Sequence, residues 1–243
     1  MKRLPFPTPW LRSGLAALCL AFVCAACGST QFDYQRNTQV GAAFKVPDGW
    51  TTFDKSALLG LGPGVQPTTP DPIRWLVGFD GDPNAAASDV LSDHPDSSYP
   101  QGFALVESLT PQARDAISFG VLRNFPFPVD YFSEDDFRLI SYNSSFNPPG
   151  GYRGLQMTYQ FRASALAAAR TAQSSGQAQN TAAQGGDARP PLLSPDFVQV
   201  QETALLDAKT NNAYYIVAWC SARCFQRNAS SIAGAVQSWT VRS

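Results

Sequence analysis

Apolar and polar residues alternate at period two in several stretches of the chain, the pattern of half-buried strands. The clearest case sets Leu155, Met157, Tyr159 and Phe161 on one face and Gln156, Thr158 and Gln160 on the other, which predicts an antiparallel strand with one wet face. Ile73, Trp75, Val77 and Phe79 alternate in the same way. Residues 40–46, 102–107 and 137–142 read as further strands, and 197–206 with 213–220 read as a hairpin across a polar turn at 207–212. Helical spacing is rarer. Thr110-Pro111 supplies an N-cap and a first-position proline, and Ala113, Ala116, Ile117, Val121 and Leu122 then share a face. That predicts one helix ending before Asn124-Phe125-Pro126-Phe127-Pro128, where proline blocks continuation. A short helix is expected over 229–237, with Ile232, Ala233 and Val236 inward, followed by a strand-like Ser238-Trp239-Thr240-Val241.

Between these elements lie segments without an apolar period. Residues 29–40 are polar and read as a tether. Pro47-Asp48-Gly49-Trp50 reads as a turn, 58–72 as a Gly- and Pro-rich loop, and 80–101 as a long polar loop. Residues 163–195 are rich in Ala, Gln, Ser and Gly, beginning as a short helix and then losing order around 174–189. A connection that long inside a compact domain is read as a flexible insertion or a functional flap.

The first apolar run changes the picture. Lys2, Arg3 and Arg12 precede a stretch of 12 residues, 15–26, that ends in Val23-Cys24-Ala25-Ala26-Cys27-Gly28. A permanent membrane-spanning helix needs roughly 20 apolar residues, so a cleaved signal is expected. Small residues before Cys27 resemble the lipobox of bacterial lipoproteins, with Cys24 where family members more often carry Leu or Val. That resemblance implies a signal peptide at 1–26, a diacylglyceryl group on the sulfur of Cys27, and a tether at 27–39. The domain would occupy 40–243 on the extracytoplasmic face of the cell membrane. Two acyl chains on one cysteine meet the two-signal requirement for stable anchoring. An ordinary secretory cut near Ala26, leaving Cys27 a free thiol, is the alternative.

Without residues 1–26 the chain carries 15 Lys+Arg and 19 Asp+Glu, a net charge of −4. That balance argues against nucleic acid and against electrostatic docking on anionic headgroups. Cys220 and Cys224 remain as an even pair in an oxidising compartment, and a disulfide is expected. A metal reading lacks a second ligand pair, because the chain has 1 His.

The candidate chemistry is thin. Ser92-Asp93-His94 has the letters of a triad, but consecutive residues of an extended chain point to opposite sides. Asp80-Gly81-Asp82-Pro83-Asn84 resembles the start of a calcium loop, yet Ala85 and Leu91 stand where the glycine and bidentate acid belong. A non-standard calcium loop helped by Asp89, Asp93 and Asp96 stays open. Glu134-Asp135-Asp136 reads as a solvated turn rather than paired catalytic carboxylates. Phe125, Phe127, Tyr131 and Phe132 read as a cover over the end of the core or, more sharply, as an apolar lip for an acyl chain or a partner. The patterns G-x-S-x-G, Walker and dinucleotide-binding are absent, and Pro63 spoils Gly60-Leu61-Gly62-Pro63-Gly64 as a phosphate cradle. No cofactor is expected.

Phe44, Val46, Pro47, Gly49 and Trp50 match an early F-x-V-P-x-G-W, and Ser238, Trp239 and Val241 match a terminal S-[FW]-x-[VI]. With the order of elements between them, these resemble the fold shared by photosystem PsbP and Ran-binding Mog proteins. Leader and fold together are similar to actinobacterial lipoproteins of the LpqN/LpqT kind. The resemblance covers residues 40–241 and implies an α+β fold, an α-β-α sandwich around a largely antiparallel sheet. It carries over no catalytic residue, since fold alone fixes no function. The expected function is a non-enzymatic envelope lipoprotein that binds envelope proteins or lipids during assembly or transport. Two alternatives are a lipid or small-solute carrier with a pocket between sheet and helix, and a carboxylate-dependent hydrolase.

Overall fold

A computed structural model describes residues 31–61, 71–92, 94–177 and 190–242. The elements in chain order are β1 (Phe32–Asn37), β2 (Ala42–Pro47), β3 (Thr51–Asp54), α1 (Lys55–Leu58), β4 (Ile73–Asp80), α2 (Ala87–Val90) and β5 (Gln101–Ser108). Next come α3 (Pro111–Ala116), α4 (Phe119–Arg123), a 3-10 turn (Val129–Tyr131), β6 (Phe137–Phe146) and β7 (Arg153–Arg162). After a second 3-10 turn (Ala163–Ala165) the chain continues through α5 (Leu166–Ser175), β8 (Phe197–Leu206), β9 (Asn212–Ser221), α6 (Ala222–Gln237) and β10 (Thr240–Val241).

Seven strands form one sheet in the order β3-β4-β5-β9-β8-β7-β6, and a smaller sheet has the order β1-β2-β10. Every pairing is antiparallel. The fold class is therefore α+β around a large antiparallel sheet.

The centre of the large sheet explains its own sequence. In β9, Ala213, Tyr215, Val217 and Trp219 enter one core while Tyr214, Ile216, Ala218 and Cys220 enter the other. A strand covered on both faces has no wet side, so it reads as a continuous apolar run. The first core lies under α4, α5 and the 127–132 segment, which contribute Leu122, Phe127, Val129, Phe132 and Leu166. The second lies under α6 and β2, which contribute Phe225, Ile232, Val236, Ala42, Phe44 and Val46. Each such large side chain stabilises the fold by roughly 1.5–3 kcal/mol when fully buried. All core residues among those described fall between Ala42 and Trp239, so the chain from residue 27 onward retains both cores.

Four sequence expectations are corrected here. The segment 29–40 is not a structureless tether, because Phe32–Asn37 pair with Ala42–Pro47 as an edge strand. Its polar residues suit an edge that shows one side to solvent. The helix after Thr110 is two helices: Ile117 is extended (φ −69°, ψ 128°), and the Ser118 side chain caps a new start by accepting from Val121 N. The wet face of β7 is dry at Gln160, which is fully buried and clamps Leu192 through both amide atoms at 2.8 and 2.9 Å. The last helix starts at Ala222 rather than 229, capped by the Ser221 hydroxyl, which accepts from Cys224 N. The loss of order expected around 174–189 falls mostly on residues outside those described, and so does most of the 58–72 loop.

The F-x-V-P-x-G-W and S-[FW]-x-[VI] motifs serve packing. Trp50 stacks on Phe79 with centroids 5.8 Å apart, and Trp239 stacks on Trp75 at 6.0 Å and 10°. Gly49 adopts a positive φ of 84° as the 47–50 turn closes with Trp50 N donating to Pro47 O at 3.2 Å.

Candidate functional site: a cationic groove beside the small sheet

The β1–β2 hairpin is closed by local chemistry. Asn37 Oδ1 accepts from Gln39 N (2.9 Å) and Val40 N (3.3 Å), an Asx-type turn. Gly41 follows with φ +64°, and a Cβ there would collide with the carbonyl oxygen of Arg242. Arg242 N donates to Gly41 O at 2.8 Å, and β10 pairs through Thr240–Ala43 and Val241–Ala42. Lys45 N donates to Ser238 Oγ at 2.9 Å, tying β2 to the end of α6. The two ends of the domain thus meet on one small sheet.

Between that sheet and the neighbouring edges of β4, β5 and β9 lies a groove of about 730 Å³. Arg36, Lys45, Arg74 and Arg242 line it, with Tyr34 at the rim and Val106 and Tyr214 within. Among the described residues no carboxylate lines it, although Asp207 accepts from the lining Asn212 Nδ2 at 2.7 Å. Asp33 belongs to β1 too, but alternation along a strand points it away from the face that carries Tyr34 and Arg36.

The ion pairs among the described residues are Lys55–Asp71, Arg123–Asp130 and Arg162 with Asp136 and Asp196; none uses a groove cation. Lys45 Nζ lies 4.2 Å from the centroid of Phe32, and Arg74 Nη1 reaches only Ser108 Oγ at 3.4 Å. Four cations around one concavity, against one acid beside its lining, Asp207, make a positive local field despite the acidic whole. Burial raises the Tyr214 phenol above its ordinary value, and its hydroxyl is engaged with Tyr152. Such a site can hold an anion.

The sequence-predicted site residues fare differently. Cys27 lies outside the described residues. Cys220 and Cys224 are joined as a disulfide, with Cα atoms 5.9 Å apart at the start of α6. The apolar lip is corrected: Phe127 and Phe132 are core residues at 4% and 1% exposure. Phe125 and Tyr131 are partly buried against the same core, and Phe125 packs 4.4 Å from the Tyr215 ring centroid. The sheet-helix interface expected to hold a carrier's ligand is occupied by these rings together with Phe161 and Trp219.

Asp80 and Asp136 also have structural tasks. Asp80 is fully buried, accepting from Asp82 N (2.8 Å) and Gln101 Nε2 (2.8 Å), and burial raises its carboxyl above the ordinary value. Among the described residues no group of three or more His, Cys, Asp or Glu side chains is placed to hold a metal. Asp136 accepts from Arg162 Nε (2.8 Å) and Ser133 Oγ (2.6 Å), while Glu134 and Asp135 are exposed. Ser92 Oγ meets the backbone of His94, whose imidazole is exposed, while Asp93 lies outside the described residues. No helix among the described residues is long and apolar enough to cross a membrane.

Sequence reasoning missed the groove. Its cations sit at positions 36, 45, 74 and 242, too far apart to form a motif. The signal that could have found them is the Asn37-to-Gly41 turn followed by a β2 that needs partners on both edges.

No family model matches the chain, and no curated protein sequence matches it. Among solved structures it is similar to cyanobacterial PsbP (CyanoP) from Synechocystis sp. PCC 6803, with a TM-score of 0.44 and 13% identity over 89% of this chain and 96% of that one. It is similar also to the Saccharomyces cerevisiae Ran-binding protein Mog1p, with a TM-score of 0.40 and 10% identity over 88% of this chain and 96% of that one.

Proposed function

We propose that this chain is a lipid-anchored, non-enzymatic binding protein of the bacterial cell envelope, of the LpqN/LpqT kind. The diacylglyceryl group sits on Cys27 and holds the domain at the extracytoplasmic face of the cell membrane. Its role is accessory, in envelope assembly or transport, exercised by holding an envelope protein or lipid at its surface.

The observation that carries this reading is the groove, the one concavity described above where several uncompensated charges converge. An internal carrier pocket is disfavoured by the rings that occupy the sheet-helix interface. A hydrolase on Glu134, Asp135 and Asp136 is disfavoured because Asp136 is committed to Arg162 and Ser133, leaving Glu134 and Asp135 exposed.

The test is photo-crosslinking in the native envelope from Gln39, at the groove, and from Arg227, an exposed position on α6. A discrete adduct to an envelope protein or lipid from Gln39, and none from Arg227, supports the reading. Equal, diffuse adducts from both positions contradict it.

A further inference from the structure

We propose that the groove is a second membrane contact, taking the phosphate headgroups of anionic lipids in the bilayer that carries the chain. This rests on the reading of Cys27 as the acylated residue. Phe32, where β1 begins, is five residues beyond Cys27, and five residues reach at most about 18 Å. That leash lets the strand that carries Tyr34 and Arg36 lie against the headgroups, within reach of their field.

Three features of the groove fit a lipid phosphate. Arginine matches phosphate with a fork of donors, and Arg36, Arg74 and Arg242 are all exposed and free of carboxylate partners among the described residues. Tyr34 is 79% exposed at the rim, and tyrosine is favoured at the headgroup level, where one end of the ring is apolar and the other wet. Finally, Lys45 is fixed over Phe32 at 4.2 Å instead of pairing with an acid, so its charge also faces phosphate. The net charge of −4 deduced for the chain beyond residue 26 argued against such docking. Four groove cations against one adjoining acid, Asp207, outweigh the distant acids within a Debye length of about 8–10 Å.

The experiment uses the chain from residue 27 with Cys27→Ser, which keeps both cores and removes any acyl contribution. Co-flotation is measured with mixed phosphatidylglycerol/phosphatidylcholine vesicles and with phosphatidylcholine alone. Binding to the mixed vesicles alone is expected, weakening as ionic strength rises. At roughly fivefold per cation near a charged surface, Arg36→Gln/Arg74→Gln/Arg242→Gln should lower partitioning about a hundredfold. Arg227→Gln, an exposed change on α6, should cost less than any of the three groove changes taken singly. Equal binding to both vesicle types, or no salt dependence in the unmutated domain, overturns the proposal irrespective of how the triple variant folds. Calorimetric titration with inorganic phosphate separates the sources: binding of free phosphate without vesicle binding overturns it too. Acylation of Cys27 is read separately by mass, so loss of the anchor and failure of the groove remain distinct results.

Discussion

The Tyr159 hydroxyl donates to Glu202 Oε2 at 3.4 Å, in a part of the first core where both residues are fully buried. The other oxygen, Glu202 Oε1, has no partner among the described residues. Burial, opposed only by that long hydrogen bond, holds the Glu202 carboxyl well above its ordinary value of 4.5. Below pH 4.5 the folded and unfolded chains both keep the proton, and Glu202 adds no penalty. Above it the unfolded chain releases the proton while the folded chain retains it. Stability then falls by up to about 1.4 kcal/mol per pH unit until the folded value is passed. Glu202→Gln should therefore flatten the decline of Tm between mildly acidic and mildly alkaline pH. Identical pH profiles for the two proteins would show that Glu202 is solvated.

Arg123 grips Asp130 with Nε at 2.9 Å and Nη2 at 2.7 Å, and each side chain is 11% exposed. Asn124 completes the set, donating to Asp130 Oδ2 and accepting from Asp130 N. This cluster folds the aromatic segment inward over the core. Removing one partner strands the other, so Asp130→Ala should cost about 3 kcal/mol in urea unfolding. The Arg123→Met/Asp130→Ala double variant should cost less than that single change. Additive losses would mean that the pair is solvent-screened.

The turn that shapes the groove depends on Gly41. An alanine there must hold a left-handed conformation, at about 1–2 kcal/mol, and push away the Arg242 carbonyl. A loss near 2 kcal/mol lowers the Tm of a domain this size by about 4–8 °C. Gly41→Ala should show at least that fall in thermal unfolding. Gly60→Ala, at a positive φ with open space around it, should show less. Equal effects would argue that β10 does not close on the turn.

The Cys220–Cys224 bridge encloses a very short loop, for which the chain-entropy contribution is about 2 kcal/mol. The Cys220→Ala/Cys224→Ala variant should unfold at a correspondingly lower Tm while keeping its far-ultraviolet spectrum, because α6 retains its Ser221 cap. Loss of the helical signal would instead make the bridge the nucleus of that helix.

The strands that could be read from the chain are those whose two faces differ or whose cores are long. β7, β4 and the β8–β9 hairpin announce themselves by alternation or by unbroken apolar runs. Thr110 was legible as a cap because its chemistry is local. β1 was not, since Phe32-Asp33-Tyr34-Gln35-Arg36-Asn37 is mostly polar and pairs only with β2, across the adjoining turn. The aromatic segment at 125–132 was legible as either a cover over the core or a lip, and the cover is what forms, with a buried ion pair in the same segment. The groove was invisible because long-range closure of β10 on β2, not local sequence, brings Arg36 and Arg242 together.

The central claim is that the domain works from a membrane through Cys27. Intact mass and amino-terminal analysis of protein from a bacterial envelope test it most directly. The account predicts a mature chain beginning at Cys27 with a diacylglyceryl mass on its sulfur, and accumulation of the uncut precursor under globomycin. A chain starting at any other residue, or an unmodified Cys27 thiol, would contradict it.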